Sequence, residues 1–368
     1  MPAAARAFWV TAPGVGEIRR TRVPEPGPDD VLVRTVRSAV SRGTETLVFR
    51  GRVPAGQHES MRAPFQDGEF PGPVKYGYLN VGVVEQGPSP LLGRTVFCLY
   101  PHQSTYVVPA RAVVAVPEGV PAERAVLAGT VETALNALWD APPLLGDRVA
   151  VVGAGMVGCC VARLATQVPG ARVTLVDVDP GRAEVADALH VDFALAGTDG
   201  MDGMDGMAGM DGMVGMAGMD GRNSVAGLPD QDLVVHTTAS SAGLQTALDL
   251  LAPDTAVLDL SWYGDGDVQL SLGGRFHTAR LGIRASQVGT VAPSRRERRT
   301  PADRLALALE LLRDPVFDVI LTGTSPLADL PDLMTRLADG DRSGICHSVS
   351  YETPVTSETA ETPQTSDA

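Results

Sequence analysis

The run Val149-Ala150-Val151-Val152-Gly153-Ala154-Gly155-Met156-Val157-Gly158, followed by Val173-Thr174-Leu175-Val176-Asp177, decides the fold of this 368-residue chain. A β-branched apolar run breaks into G-x-G-x-x-G. A helix-compatible stretch follows, and a second apolar run ends on an acid 19 residues past the last glycine. That pattern marks a βαβ unit that binds a dinucleotide, and each part has a physical role. Gly153 permits the tight turn, Gly155 lets the backbone approach a pyrophosphate, and Gly158 lets the helix pack closely on the strand. The helix start at Met156 and Val157 offers unpaired N–H groups and a partial positive charge to the phosphates. Asp177 would accept hydrogen bonds from both ribose hydroxyls and repel a 2′-phosphate, which favours NAD(H) over NADP(H). The alternative is a glycine-rich turn between buried strands.

Position matters too, because 148 residues precede the unit and something else is built first. A chain of this length accommodates two domains with separate cores. No run of eighteen apolar residues exists, so no membrane span is expected. The opening residues carry no long apolar region of the secretory kind. Cys98, Cys159, Cys160 and Cys346 form no C-x-x-C pair, which points to a reducing compartment, the cytoplasm. A net charge of −14 argues against nucleic acid or an anionic membrane as partner. Lys75 is the only lysine among 30 basic residues.

Residues 1–121 read as short strands with frequent Gly and Pro punctuation, a twisted and partly open β-barrel. Positions 122–141 carry Ala, Leu, Glu and Val at helical spacing and stop at Pro142-Pro143, giving one long helix into the nucleotide domain, 122–292. Strands are expected at 148–152, 173–177, 191–195, 232–236, 255–260 and 281–285, alternating with helices as a doubly wound sheet requires. Between the third and fourth, 198–221 place glycine and methionine each at every third position. Such glycine density cannot hold a helix, and the stretch reads as an expanded surface loop, with thioether binding of a soft metal as the alternative. A return segment, 293–351, opens with Arg295, Arg296, Arg298 and Arg299, continues in an amphipathic helix at 301–312, and ends in a strand-like stretch at 344–351. Positions 352–368 have almost nothing to bury and read as a disordered tail.

This order of parts resembles the medium-chain dehydrogenase/reductase superfamily over residues 5–351. Local likenesses are Val23-Pro24-Glu25-Pro26-Gly27-Pro28 with the strand after it, Gly43-Thr44-Glu45 beside the family's C-G-T-D turn, and Gly77-Tyr78-Leu79-Asn80-Val81-Gly82-Val83-Val84 beside its G-H-E-x-x-G-x-V segment. Ser41-Arg42-Gly43-Thr44-Glu45 is similar to the branch containing bacteriochlorophyllide hydroxyethyl dehydrogenase. The resemblance implies an α/β protein, with a GroES-like N-terminal barrel joined to a Rossmann doubly wound parallel sheet. It also implies a homodimeric, NAD-dependent enzyme acting on a small molecule.

The family's catalytic zinc ligands would fall, by motif register, on Arg42, Tyr78 and Gly129. Arginine cannot ligate zinc, glycine has no side chain, and tyrosine is a poor substitute. The four-cysteine structural lobe is missing as well, since only Cys98 lies between Gly93 and Pro109. A metal-free enzyme is therefore expected, with an unusual site from Glu45, Glu132, His102 and Cys98 as the alternative.

Without zinc, side chains must supply the electrophile and the proton path. Tyr78 is the first candidate, its acidity raised if an ammonium stands near. Lys75 is that candidate ammonium, although odd spacing on a strand demands a turn at Gly77 for the two to meet. Otherwise Tyr78 is a packed barrel tyrosine and Lys75 a surface ion pair. Glu45 and Glu132 are candidate carboxylates, and Glu132 reads alternatively as half of a buried ion pair. His102 is a proton relay or a satisfied loop histidine. Arg42 binds a substrate carboxylate or faces solvent. Thr238, Ser261, Trp262 and Ser286 follow the later strands and are the remaining cofactor contacts that the resemblance implies. The resulting expectation is a zinc-independent oxidoreductase interconverting a secondary alcohol and a ketone. Reduction of a conjugated C=C or quinone, and dinucleotide binding without turnover, are the alternatives.

Overall fold

A computed structural model describes residues 4–197, 224–341 and 343–351 of the chain. The expected loop at 198–221 and the expected tail at 352–368 lie outside the described residues.

The six strands read from the sequence are present within a residue or so of their expected ends. They are Arg148–Val152, Arg172–Asp177, Asp192–Leu195, Leu233–His236, Ala256–Asp259 and Gly282–Ala285. All pairings among them are parallel. Alternate residues serve opposite faces, as the period of two dictates. Val149 and Val151 join a core that includes the helix Met156–Ala165, while Ala150 and Val152 join a second core under the helix Ser241–Asp249. Burial on both faces explains why these strands read as continuous apolar runs. In space the order runs from Asp192–Leu195 through Arg172–Asp177 to Arg148–Val152, then on to Leu233–His236, Ala256–Asp259 and Gly282–Ala285. The winding direction therefore reverses between Arg148–Val152 and Leu233–His236. In an open α/β sheet, that reversal opens a crevice at the carboxyl ends of the strands.

The first lobe is antiparallel except for one parallel pair, Leu321–Pro326 with Cys346–Ser350. The long strand Asp30–Val40 pairs with Asn80–Gln86, with Thr105–Pro109 and with the late strand Cys346–Ser350. The return segment thereby completes a seven-stranded sheet, and a four-stranded sheet built on Ala4–Ala12 and Val15–Arg22 packs beside it. The helix Arg42–Phe49 leaves the end of Asp30–Val40 and buries Glu45, Val48 and Phe49.

One helix departs from the sequence reading and one matches it. The single helix expected at 122–141 is two, Ala122–Ala125 and Ala128–Asp140, interrupted at Val126 and Leu127, both fully buried. The helix expected at 301–312 is Pro301–Leu311, started by a capping box between Thr300 and Asp303 with proline in its first turn. Among the described residues, no helix is long and apolar enough to cross a membrane.

Candidate active site and dinucleotide cradle

The three glycines after Arg148–Val152 do measurably different work. Gly153 has φ +108°, and a Cβ there would lie 2.6 Å from Thr237 Oγ1. A Cβ on Gly158 would stand 1.8 Å from the Gly153 carbonyl oxygen, so only glycine lets this helix approach its strand. Gly155 faces open space, with nothing within 4 Å of a Cβ. It is also the N-cap of Met156–Ala165 and no side chain caps that helix. Open space in front of uncapped N–H groups is what a pyrophosphate requires. Asp177 ends the next strand half-buried, accepting from the backbone N–H groups of Ala154 at 2.7 Å and Asp179 at 3.0 Å. A carboxylate offers about four lone-pair sites, so Asp177 retains acceptor capacity for ribose hydroxyls. The residues present thus fit a dinucleotide.

The loop after Ala256–Asp259 meets the first lobe. Trp262 Nε1 donates to Gln57 Oε1 at 2.9 Å, and Arg52 pairs with Asp265 at 2.7 Å. Trp262 therefore spans the cleft between lobes. Ser261 Oγ accepts from the Ala239 N–H at 3.0 Å, where Ala239 holds a left-handed φ of +53° that glycine adopts more easily. Ser286 Oγ donates to Asp140 Oδ2 at 2.6 Å and so is tied to the linking helix.

In the first lobe, several candidates assemble into one buried array. His102 Nε2 lies 2.9 Å from Glu45 Oε2, and His102 Nδ1 lies 2.7 Å from Ser38 Oγ, which reaches Tyr351 OH at 2.8 Å. Glu45 Oε1 accepts the Ser41 N–H at 2.8 Å. Tyr78 OH donates to Ser41 Oγ at 2.6 Å. Glu45 and His102 are both buried, and a carboxylate is tolerable there because donors surround it. Gly77, at φ +127°, makes room for the imidazole, since a Cβ would lie 2.9 Å from His102 Cδ2.

Three expectations need correction. Gly77 does turn the chain, yet Lys75 does not meet Tyr78. Its Nζ donates to Gln103 Oε1 at 2.9 Å and lies over the rings of Trp9 and Tyr100, and the expected ion pair forms with the exposed Asp67 at 3.7 Å although Lys75 itself is buried. Without an ammonium beside it, the Tyr78 phenol is pushed up by burial to about 12 instead of down. Glu132 stands apart from the array and takes its other reading, half of a buried ion pair, with Arg304 at 3.0 Å.

At the three motif positions for zinc ligands, the side chains do not converge. Arg42 Nη1 donates to the Gly344 carbonyl at 3.2 Å, Tyr78 turns to Ser41, and a Cβ at Gly129 would be 2.6 Å from Leu79 Cδ2. Glu45 and His102 meet, but Glu132 is on Arg304 and Cys98 Sγ is directed to the Ala112 carbonyl. Among the described residues no group of three His, Cys, Asp or Glu could hold a metal ion.

Sequence reasoning missed a second polar cluster, at the carboxyl ends of two neighbouring parallel strands. His236 and Asp259 are partners in register, with Nδ1 2.9 Å from Asp259 Oδ1. Asp259 also accepts from the Ser261 N–H at 2.9 Å and from Tyr263 OH at 2.8 Å. His236 Nε2 lies 2.6 Å from Thr238 Oγ1, a residue exposed at the turn that follows. The available signal was a histidine and an aspartate each closing an apolar strand, in Leu233-Val234-Val235-His236 and Val257-Leu258-Asp259.

No family model matches the chain. It is 28% identical over 220 residues to L-threonine 3-dehydrogenase from Sinorhizobium medicae, across 52% of this chain and 62% of that protein. The chain thus spans less than two thirds of the curated relatives it matches. In fold it is similar to L-idonate 5-dehydrogenase from Escherichia coli K-12, with a TM-score of 0.71, 14% identity, and 95% and 99% of the two chains covered. It is similar also to a short chain alcohol dehydrogenase from Escherichia coli CFT073 complexed with NADH, with a TM-score of 0.68, 15% identity, and 95% and 99% covered. With its mostly antiparallel first lobe, its doubly wound parallel sheet and its late strand returning to that lobe, the chain shares the two-lobed fold of these dehydrogenases.

Proposed function

We propose that the protein is a zinc-independent, NAD(H)-dependent oxidoreductase that interconverts a secondary alcohol and a ketone, with Tyr78 handling the proton. The observation that carries this reading is the hydrogen-bonded array joining Tyr78 and Ser41 to Glu45 and His102, at a position where zinc enzymes of this superfamily place a metal ligand. The dehydrogenase relatives and fold neighbours support an alcohol-dehydrogenase type of reaction. The filled space at Gly129 and the diverging Arg42 and Tyr78 side chains support a course without metal. Solved neighbours include one bound to NADP and one with NADH, so the preference for NAD(H) rests on Asp177.

A bound nicotinamide supplies or accepts the hydride. The chain's own residues manage charge and proton. With its pKa at about 12, the Tyr78 phenol stays protonated at neutral pH, and by turning its single O–H from Ser41 Oγ to a substrate oxygen it can donate a hydrogen bond there. That bond strengthens as negative charge develops on the oxygen. An alkoxide is basic enough to take the phenolic proton, and the phenolate regains one from the Ser41 hydroxyl 2.6 Å away, which takes its replacement from solvent water. Glu45 fixes Ser41 through its backbone N–H, and His102 fixes Glu45. Alcohol oxidation uses the same path in reverse. Under this reading the enzyme works in the cytoplasm as a homodimer on a small-molecule substrate.

The test pairs NADH titration by fluorescence with turnover on a panel of ketones and secondary alcohols. Tyr78→Phe should lower kcat by about 100-fold or more while leaving the NADH Kd unchanged. An unchanged kcat removes Tyr78 from the proton path. Stoichiometric zinc whose removal abolishes activity overturns the metal-free course, and turnover of an enone but no ketone overturns the reaction type.

A further inference from the structure

The His236–Asp259 couple has no part in the proton path just described, yet it occupies a defined place relative to a dinucleotide. A doubly wound sheet binds one nucleotide on each half, across the point where strand order reverses. Asp177 closes a strand of the first half, which assigns the adenosine end there. The nicotinamide end then falls to the second half, whose first two strands end on His236 and Asp259. Asp259 is 8% exposed. Its donors are an imidazole, a backbone N–H and a phenol, so neither arginine nor lysine among them cancels its charge. Burial works to raise its carboxyl pKa, but the hydrogen bonds from His236, Ser261 and Tyr263, together with coulombic attraction to His236, outweigh burial and hold it below the usual carboxylate range. The group is therefore ionised at neutral pH. Thr238, on the other imidazole nitrogen, carries the cluster to the exposed surface of the crevice.

Resting on the dinucleotide reading above, we infer that Asp259, held by His236 and Tyr263, sets which redox form of the nicotinamide this protein retains. An oxidised nicotinamide ring carries a positive charge and a dihydronicotinamide ring carries none. A buried carboxylate near the ring, with only an imidazole as its possible cationic partner, attracts the first and is indifferent to the second. The couple is thus a positioning device for charge, and it biases the enzyme toward holding NAD+.

The experiment measures Kd for NAD+ by calorimetry and for NADH by fluorescence on the full chain. Asp259→Asn should weaken NAD+ binding by about tenfold, the scale of one partly screened charge, and leave NADH within about twofold. A merely structural lesion would weaken both together. Tyr263→Phe keeps the carboxylate but removes a donor, and serves if the first variant does not fold. It should strengthen the preference for NAD+ by about threefold. Equal losses for both forms, an unmoved ratio, or a reduced NAD+ preference in Tyr263→Phe overturns the inference while leaving the cofactor reading intact. Wild-type protein that binds neither form overturns the cofactor reading and this inference with it.

Discussion

Each lobe of this molecule holds an imidazole between a carboxylate and a hydroxyl, and the two arrangements differ in where they end. In the first lobe Glu45, His102 and Ser38 run on to Tyr351, and the carboxylate, imidazole and serine are all buried. In the parallel sheet Asp259, His236 and Thr238 finish on an exposed hydroxyl at the crevice. The same three chemical groups therefore do two jobs. The closed series holds a lobe in shape and fixes Ser41, while the open one places charge next to a ligand. A closed series should show itself in stability, an open one in binding.

The comparison can be broken most readily at Glu45. Glu45→Ala strands the Ser41 N–H and one side of His102 in a buried space, and should cost about 3–5 kcal/mol in urea unfolding. A loss under about 1 kcal/mol, the size of an ordinary substitution, would mean that the closed series holds nothing together. Gly77→Ala attacks the same series from outside by forcing a Cβ toward His102 Cδ2 at 2.9 Å with φ at +127°. An intermediate loss of about 1–3 kcal/mol is expected, with dinucleotide Kd unchanged in titration. A shifted Kd would show the lobes to be coupled. The smallest effect belongs to Thr238→Val, about 0.5–1 kcal/mol, because water can replace the hydroxyl at an exposed end. A larger loss by the same unfolding assay would show that the second series is closed too.

The sheet was legible because its evidence is local. Val149–Val152 and Val173–Val176 are β-branched runs broken by residues with one structural meaning, and their strands formed where the pattern put them. The linking helix was legible in composition but not in its interruption, since Val126 and Leu127 are buried apolar residues with no glycine or proline to mark a break. The closed series was not legible, because its bonds join residues 57, 64 and 313 positions apart. Only the antiparallel register brings these together. Lys75 shows the same limit, since its partners Gln103, Trp9, Tyr100 and Asp67 come from other segments. The His236–Asp259 couple lies between these cases. Once the strands are drawn, adjacency and register follow, and two polar residues at matching strand ends are then neighbours.

The strand Cys346–Ser350 lies between Leu321–Pro326 and Asp30–Val40, and this has a consequence for how the protein is made. During synthesis the entire parallel sheet, complete at Ala285, emerges before the strand that the first lobe needs. The lobe that leaves the ribosome first is therefore the last to close. Until then its long strand Asp30–Val40 has an unpaired edge along Arg37–Val40, the stretch that Cys346–Ser350 later covers.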